Sequence, residues 1–234
     1  MPAYNEELIL KKNILKLLAF CRKDLDLDLN WQIVIADNQS MDRTKEIGQK
    51  LAMDNQKIDY LHLNQKGKGA AIRTGWTEYS ADIYCFMDAD LATDLTGLPL
   101  LINGILEGHD AAIGSRFHFQ SKVGRSLFRK FVSHIYRLML KIVLKIKIND
   151  APCGFKAITH EVKEEILPQV KNNDWFFDSE LVILAEKKGY KIKEIPIVWE
   201  DFREGEDKSR VNILKVMKQY LREVILLKKR ITKL

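Results

Sequence analysis

Two aspartates separated by one alanine, Asp88 and Asp90, follow directly on an apolar run, IYCFM, at residues 83–87. Such a run is typical of a buried strand, so the carboxylates are predicted to stand at its carboxyl end. In an extended chain, positions i and i+2 face the same side, and both carboxylates can therefore point at one spot. Hard oxygen ligands suit Mg²⁺ or Mn²⁺, ions that usually keep open positions for substrate phosphates. A solvated turn after the strand is the alternative that the pair alone leaves open.

A glycine-flanked lysine precedes this strand, in the segment QKGKGAAIRTGW at residues 65–76. A helix is predicted from about Ala70. The free backbone N–H groups at its start, with Lys66 and Lys68 beside them, would form an anion site. A flexible turn is the alternative for a Gly–Lys loop taken by itself.

The elements that must position these residues alternate between strands and helices. Apolar runs predict strands at 31–37, 58–63, 83–87, 111–114 and 192–199, and apolar periodicity predicts helices at 6–18, 44–55, from 70, 98–107 and 178–189. This alternation predicts an α/β fold with a mostly parallel central sheet flanked by helices, in which ligands bind at the carboxyl ends of strands. We interpret residues 1–234 as one domain. Asp178 is a candidate N-cap for its helix.

Two segments carry most of the positive charge. Residues 121–149 contain eight Lys and Arg and no acid, and residues 208–234 contain nine Lys and Arg and one acid, whereas the whole chain has a net charge of only +6. In the first segment Arg125, Arg129, Arg137 and Lys141 follow an i+4 register between apolar residues. Both segments predict basic amphipathic helices that lie on a membrane surface, with a solvated face on a core-packed helix as the alternative. No fold for nucleic-acid binding is recognised, so we expect no nucleic-acid partner.

Composition restricts the setting of the protein. Three cysteines at wide spacing predict reduced thiols and neither a disulfide framework nor a zinc site. No uninterrupted apolar run reaches the roughly 18 residues that a membrane span requires. We therefore expect a cytoplasmic protein, attached peripherally to the cytoplasmic face of a membrane. The chain also opens on the exit from a strand, at Pro2, and we expect the first strand of the fold to be missing ahead of Met1.

Seven motifs in order make the family recognisable. They are PAYNEE, DNQSMDRT, KGKGAAIRTG, MDADL, IGSR, CGFK and WFFDSE. Together they resemble glycosyltransferase family 2, and more narrowly its enzymes that move a sugar from a nucleotide to dolichyl or polyprenyl phosphate, with the dolichyl-phosphate beta-glucosyltransferases the best match. The resemblance covers almost the whole chain. It implies a GT-A fold, a nucleotide-sugar donor (UDP-glucose is the expectation), Mg²⁺ or Mn²⁺, and inversion at the anomeric carbon.

The resemblance also implies roles for individual residues. Asp88 and Asp90 would hold the metal and, with Arg116 and Asp178, form the catalytic set. Arg116 would meet the acceptor phosphate at the reaction centre. Independently of the resemblance, Arg125 and Arg129 lie one helical turn apart in the segment predicted to lie on the membrane, and they are further candidates for the acceptor phosphate because arginine binds phosphate in a bidentate manner. Contact with lipid headgroups is the alternative for these two arginines. The residues expected to bind the nucleotide sugar are Pro2, Tyr4, Glu6, Asp37, Asn38, Lys68, Asp88, Ala89, Asp90, Arg203 and Lys208. Asp178 is open to several interpretations: a base, an N-cap, or a contact that orients the acceptor arginines.

Two alternatives to this function remain at the level of the sequence. One is a family 2 transferase whose acceptor is a sugar hydroxyl, which would require a working catalytic base. The other is a catalytically silent protein that binds a nucleotide sugar and is recruited to membranes. The intact pair of Asp88 and Asp90 argues against the silent protein, and the absent first strand argues for it.

Overall fold

The computed structural model describes residues 1–25, 28–200 and 213–232, without the side chains of 213–218. Within these residues the strands are β1 Pro2–Ala3, β2 Ile33–Asp37, β3 Ile58–His62, β4 Ile83–Met87, β5 Ala111–Ser115, β6 Lys122–Gly124, β7 Phe155–Thr159, β8 Ile192–Pro196 and β9 Val198–Glu200. The helices are α1 Leu10–Asp24, α2 Thr44–Asp54, α3 Lys68–Glu78, α4 Gly97–Leu106, α5 Leu127–Leu144, α6 His160–Ile166, α7 Phe177–Lys187 and α8 Ile213–Ile231.

The strands form a three-stranded sheet of order β1-β2-β3, a four-stranded sheet of order β4-β7-β5-β8 and the pair β6-β9. Among the strands of the described residues, four pairings are parallel, and β7 runs antiparallel to both of its neighbours, β4 and β5. The predicted α/β class and mostly parallel pairing are confirmed. The strands β2, β4 and β5 bring their carboxyl ends, Asp37, Met87 and Ser115, to the loops that carry the predicted site residues.

A cavity of about 820 Å³ lies between the two larger sheets. It is lined by Ile33 and Val34 of β2, by all of β4, and by apolar side chains of α1, α3 and α4. Met1 enters it and extends the pairing of β1: its amino group donates to Val34 O at 2.7 Å, and Ala36 N donates to Met1 O at 2.9 Å. Burial lowers the pKa of this amino group to about 5. Met1 and Pro2 thus line a cavity whose other walls are mostly apolar, with polar residues such as Gln32, Gln56 and Asp82 among them.

Helix α5 turns its apolar side outward. Ser126 caps its start by accepting a hydrogen bond from Arg129 N, and the left-handed Lys145 ends it. Leu140 and Leu144 are buried in the core. The exposed large hydrophobic residues follow the helical i, i+3, i+4 spacing and are Leu127, Phe128, Phe131, Ile135, Leu138 and Ile142. Residues 127–144 of the predicted segment are a helix, and its stripe of exposed large hydrophobic residues faces away from the protein.

Some predicted boundaries differ from the structure. Helix α1 begins at Leu10, because Ile9 N and Leu10 N both turn back to Glu6 O and residues 7–9 form turns. The predicted strand 192–199 is two strands: β8 follows β5 as far as Pro196, after which Ile197 N donates to Ser121 Oγ and the chain crosses to β6. Asp178 as an N-cap is wrong. Helix α7 is preceded by Phe176, and Asp178 is its second residue.

Candidate active site

The carboxylate pair lies in a tight turn at the end of β4. Strand β4 ends at Met87, and Leu91 N closes the turn by donating to Asp88 O at 3.1 Å. Leu91 has a φ of 49°, a left-handed conformation that costs energy for a leucine. Asp90 Oδ1 accepts from Ala92 N at 3.1 Å, which orients its side chain. The extended geometry predicted for the pair is therefore wrong, and the two half-buried carboxylates lie in a strained turn instead.

Lys68 connects this turn to helix α7. Its ammonium lies 2.7 Å from Asp88 Oδ1 and 2.6 Å from Asp178 Oδ2, and only 7% of its side chain is exposed. Burial alone would lower the pKa of Lys68, but the two carboxylates raise it above its ordinary value. The rings of Phe86 and Trp175 lie 5.4 and 5.6 Å from the ammonium. Lys68 is thus a buried cation held between two carboxylates and two aromatic rings.

The predicted anion site at the start of α3 has a different arrangement. Ala70 N donates to Asn173 O at 2.9 Å, so a loop of the chain covers this part of the helix end. Lys66 lies 5.3 Å from the ring of Tyr4, and Lys68 turns toward Asp88 and Asp178. The charge of Lys68 therefore pairs with the carboxylates of Asp88 and Asp178 and does not add to an anion site at the start of α3.

Asp178 is 2% exposed. Its Oδ1 is buried and has no hydrogen-bond partner among the described residues. Burial raises the pKa of this carboxyl, and Lys68 and Lys156 oppose the rise. A carboxyl that is enclosed and bound to a lysine is positioned to anchor that lysine. It is poorly placed to take a proton from a substrate, since a general base must reach the proton that it abstracts.

The residues of the turn fit a divalent cation. Carboxylate oxygens are the ligands that Mg²⁺ and Mn²⁺ prefer. Gly154 leaves room at Asp88, because a Cβ on residue 154 would lie 2.2 Å from Asp88 Oδ2. Across residues 1–25, 28–200 and 213–232, no group of three or more His, Cys, Asp and Glu is gathered as a metal site. Asp88 and Asp90 would therefore hold the cation together with oxygens from a substrate and water.

A second buried cation, Lys156, stabilises a backbone turn next to the site. Lys156 in β7 has no exposed surface, and its Nζ donates to the backbone oxygens of Ala151, at 2.9 Å, and Cys153. These bonds fix the turn that carries Asp150, whose carboxylate accepts three hydrogen bonds from Arg116. Burial alone would lower the pKa of Arg116, but Asp150 raises it. No role at the site was predicted for Lys156, Asp150 or Gly154, although the lysine inside the apolar segment GFKAI was a visible signal.

Two of the predicted acceptor arginines lie at the start of α5. The guanidinium of Arg125 stacks 4.0 Å from the ring of Trp199 and donates to Ser133 Oγ at 3.2 Å. Its buried Nε has no partner among the described residues. Burial, with Arg116 as the next cause, lowers the pKa of Arg125 to about 10. Arg129 N donates to Ser126 Oγ at the helix cap. The structure therefore brings Arg116 and Arg125 to one region beside Asp150.

The predicted nucleotide-binding residues gather around the ends of β1 and β2. Asp37 is fully buried and accepts from Ser40 N, Tyr60 OH and the ring of His62. Burial alone would raise the pKa of Asp37, but these hydrogen bonds together lower it. Asn38 N donates to Ala3 O at 2.8 Å, and Asn38 Oδ1 is buried without a partner within the described residues.

The other predicted residues border the same region, with two exceptions. Pro2 pairs with Ala36 in the sheet, Tyr4 is exposed, and Glu6 N donates to Thr44 Oγ1 at 2.8 Å. Ala89 is buried, and its carbonyl accepts from Asn13 Nδ2 at 2.8 Å. The predictions for Arg203 and Lys208 fall outside the described residues.

Comparison with known proteins agrees with this fold and site. Residues 1–167 match the family described as Glycosyl transferase family 2. The chain is 32% identical to a dolichyl-phosphate beta-glucosyltransferase of Trichomonas vaginalis, over 93% of this chain and 68% of that protein. It is 34% identical to a dolichol-phosphate mannosyltransferase of Pyrococcus furiosus, over 98% of this chain and 62% of that protein. The chain belongs to glycosyl transferase family 2.

Two further matches define how far the similarity extends. A glycosyltransferase of Haloferax volcanii is 30% identical over 86% of this chain, but the chain spans only 32% of its length. Glucosyl-3-phosphoglycerate synthase of Mycobacterium tuberculosis, solved with Mn²⁺, UDP-glucose and phosphoglyceric acid, superposes with a TM-score of 0.70 at 16% identity, over 97% of this chain and 77% of that one. At this identity the superposition shows the fold, which is the GT-A fold predicted from the motifs. In the described part of the chain, no helix is long and apolar enough to cross a membrane.

Proposed function

We propose that this chain transfers a hexose, with glucose the candidate, from a nucleotide sugar, with UDP-glucose the candidate, to polyprenyl or dolichyl phosphate at a membrane surface. The observation that carries the proposal is that two partly buried arginines, Arg116 and Arg125, lie near each other beside the start of α5, whose apolar stripe is exposed. The relatives named as dolichyl- and dolichol-phosphate sugar transferases support the same acceptor.

One group of charged residues would bind the nucleotide-sugar donor. Asp88 and Asp90 would hold Mg²⁺ or Mn²⁺, which when bound neutralises the leaving nucleoside diphosphate. Lys68 contributes a fixed positive charge beside Asp88, and Arg116 contributes another. Asp37, Asn38, Tyr4 and their neighbours at the ends of β1 and β2 would receive the nucleoside.

The acceptor needs positioning more than activation. A lipid phosphate is already anionic near neutral pH, so direct attack with inversion needs the phosphate oxygen held close to the anomeric carbon. Arg116, Arg125 and Arg129 are the proposed contacts, since guanidinium groups bind phosphate in a bidentate manner. The enclosure of Asp178 favours a lipid phosphate over a sugar hydroxyl, because a hydroxyl acceptor would require an accessible base.

Peripheral attachment would bring the protein to its acceptor. The exposed stripe of α5 includes Phe131, at 63% exposed, and Leu138, at 59% exposed, and basic residues lie on the same helix. In α8, Leu221, Ile225 and Leu226 are also exposed. An apolar stripe beside Lys and Arg fits the interface of an anionic membrane. The three free cysteines are consistent with the cytoplasmic face of that membrane.

The test is a transfer assay with purified protein, Mn²⁺ or Mg²⁺, a panel of labelled UDP- and GDP-sugars, and polyprenyl phosphate in detergent. Polyprenol, which lacks the phosphate, is the matched control acceptor. We expect a lipid-linked product from UDP-glucose and polyprenyl phosphate and none with polyprenol. Transfer to a sugar hydroxyl with no lipid-linked product, or no transfer from any donor, would contradict the proposal.

A further inference from the structure

The ammonium of Lys68 contacts Asp88, a carboxylate that a divalent cation at this site would also contact. Its ammonium is 2.7 Å from Asp88 Oδ1, so one oxygen of the first metal-site carboxylate already has a cationic partner. The second contact, 2.6 Å to Asp178 Oδ2, holds the ammonium from the opposite side. Lys68 and Asp178 are both almost fully enclosed, so little water reaches their ion pair.

The surroundings keep the lysine in place. The rings of Phe86 and Trp175 flank the ammonium, and Tyr220 of α8 donates to Trp175 O at 3.0 Å. Lys156, the other buried lysine, lies near Asp178 but directs its Nζ to backbone oxygens of the turn at 151–153. Lys68 is therefore the buried ammonium that contacts Asp88.

We propose that Lys68 is a positioning residue that holds Asp88 in place of a metal and thereby makes metal binding depend on the nucleotide diphosphate. A divalent cation that approaches Asp88 alone meets a like charge on the same carboxylate, which weakens its binding. When the diphosphate is present, its negative charge attracts both cations, so the repulsion between them is offset. The nucleotide and the metal then strengthen each other's binding by the same factor. This inference rests on the proposed function, since it takes the diphosphate as the ligand.

The test measures Mn²⁺ binding without nucleotide, from the loss of the free Mn²⁺ signal in electron paramagnetic resonance. The variant Lys68→Met/Asp178→Asn removes the ammonium together with its buried counter-charge. We expect it to bind Mn²⁺ roughly tenfold or more tightly than the unmodified chain, because a like charge close to the cation is gone. UDP should then improve Mn²⁺ affinity by a smaller factor in the variant than in the unmodified chain.

Three further variants make the result specific. Asp178→Asn alone keeps the ammonium and should show no gain in Mn²⁺ affinity. Adding Asp88→Asn to the double variant should abolish the gain, which would locate the ion at Asp88. If the double variant is poorly folded by circular dichroism, Lys68→Gln/Asp178→Asn retains a hydrogen bond between the two positions and is used in its place.

The outcomes separate this inference from the proposed function. If the double variant binds Mn²⁺ no more tightly than the unmodified chain, while the unmodified chain binds Mn²⁺ with UDP, the role of Lys68 is wrong and the proposed function stands. If no form binds Mn²⁺ even with UDP, the proposed metal-dependent transfer is itself overturned. A gain that survives Asp88→Asn would also overturn the inference, because the ion would lie elsewhere.

Discussion

Asp150 holds Arg116 through three hydrogen bonds: the backbone N–H and Nε of Arg116 both donate to Asp150 Oδ2 at 2.7 Å, and Nη2 donates to Oδ1 at 2.6 Å. The carboxylate is completely buried, and the arginine side chain is 13% exposed. Glu194 in turn accepts from the backbone N–H of Asp150 at 3.2 Å. An arginine fixed along two sides presents its remaining edge in one orientation, as recognition of a phosphate requires.

The first prediction concerns this pair. Asp150→Asn should lower the free energy of unfolding by about 3–5 kcal/mol, because it leaves a buried guanidinium without its counter-charge. Urea denaturation measures the change. The matched control is Glu107→Gln, which removes the partner of Lys193 from an exposed ion pair and should leave stability nearly unchanged. Equal effects of the two substitutions would contradict the importance given to the buried pair.

The second prediction concerns the carboxylate turn. Asp88→Asn and Asp90→Asn should each reduce turnover by roughly two to three orders of magnitude, since each removes a ligand charge without a change in shape. The melting temperature should remain close to that of the unmodified chain. Asp82→Asn, at the exposed opposite end of β4, is the control and should retain activity. Near-normal, EDTA-sensitive turnover in either variant would remove that residue from the proposed metal site.

The third prediction concerns membrane attachment through α5. The unmodified chain should float with anionic liposomes at low salt and keep part of its binding at high salt. Phe128→Ser/Phe131→Ser should weaken the salt-resistant part roughly tenfold or more, because two aromatic side chains no longer leave water. Met53→Ser, which changes an exposed apolar residue of α2, is the control and should bind as before. Absence of flotation at low salt would exclude this mode of attachment.

The fourth prediction concerns acid stability. The folded state lowers the pKa of Asp37 below its ordinary 3.8. The contribution of Asp37 to stability is therefore complete above that ordinary value and is lost as pH falls through the folded-state pKa. Asp37→Asn should flatten the part of the pH–stability curve below about pH 4 that this group supplies. Parallel curves for the two proteins, by urea denaturation between neutral and acid pH, would contradict the assignment.

The fifth prediction concerns the cavity beside β1. An extension of about six apolar residues ahead of Met1 should form a longer strand beside Val34 and raise the melting temperature. It would also replace the buried amino group of Met1 with a peptide bond. An extension of equal length made of glycine and serine is the control and should raise the melting temperature less. A melting temperature that does not rise with the apolar extension would show that the cavity does not accept a strand.

Local patterns in the sequence predicted most of the elements. The apolar run at 83–87 is strand β4 to the residue, and the helix predicted at 44–55 is α2 with one residue fewer. Hydrophobic periodicity and apolar runs involve residues that are close together along the chain, so both can be recognised directly in the sequence. Pairing direction depends on distant contacts, and β7 lies antiparallel between β4 and β5 for reasons that no local pattern contains.

The sequence predicted which residues form the site better than it predicted the hydrogen bonds and ion pairs between them. The motifs identified Asp88, Arg116 and Lys68 as site residues, but not that Lys68 bonds Asp178 across 110 positions of the chain. Asp178 was expected to cap its helix because aspartate favours that position. The buried ammonium of Lys68 attracts it more strongly, and a backbone turn at Phe176 begins the helix without it. Contacts of this kind arise from packing and cannot be read from spacing.

Gly154 also restricts which sequences can fold around the site. Any side chain at residue 154 begins with a Cβ, and that atom would overlap the carboxylate of Asp88. Even alanine at this position would force the Asp88 carboxylate to move out of the place that Gly154 leaves open for it. Gly75, inside α3, has no atom within 4 Å of the place where its Cβ would lie, and alanine there should strengthen the helix by about 0.5–1 kcal/mol. Two glycines in one chain thus have opposite tolerance to the smallest possible substitution.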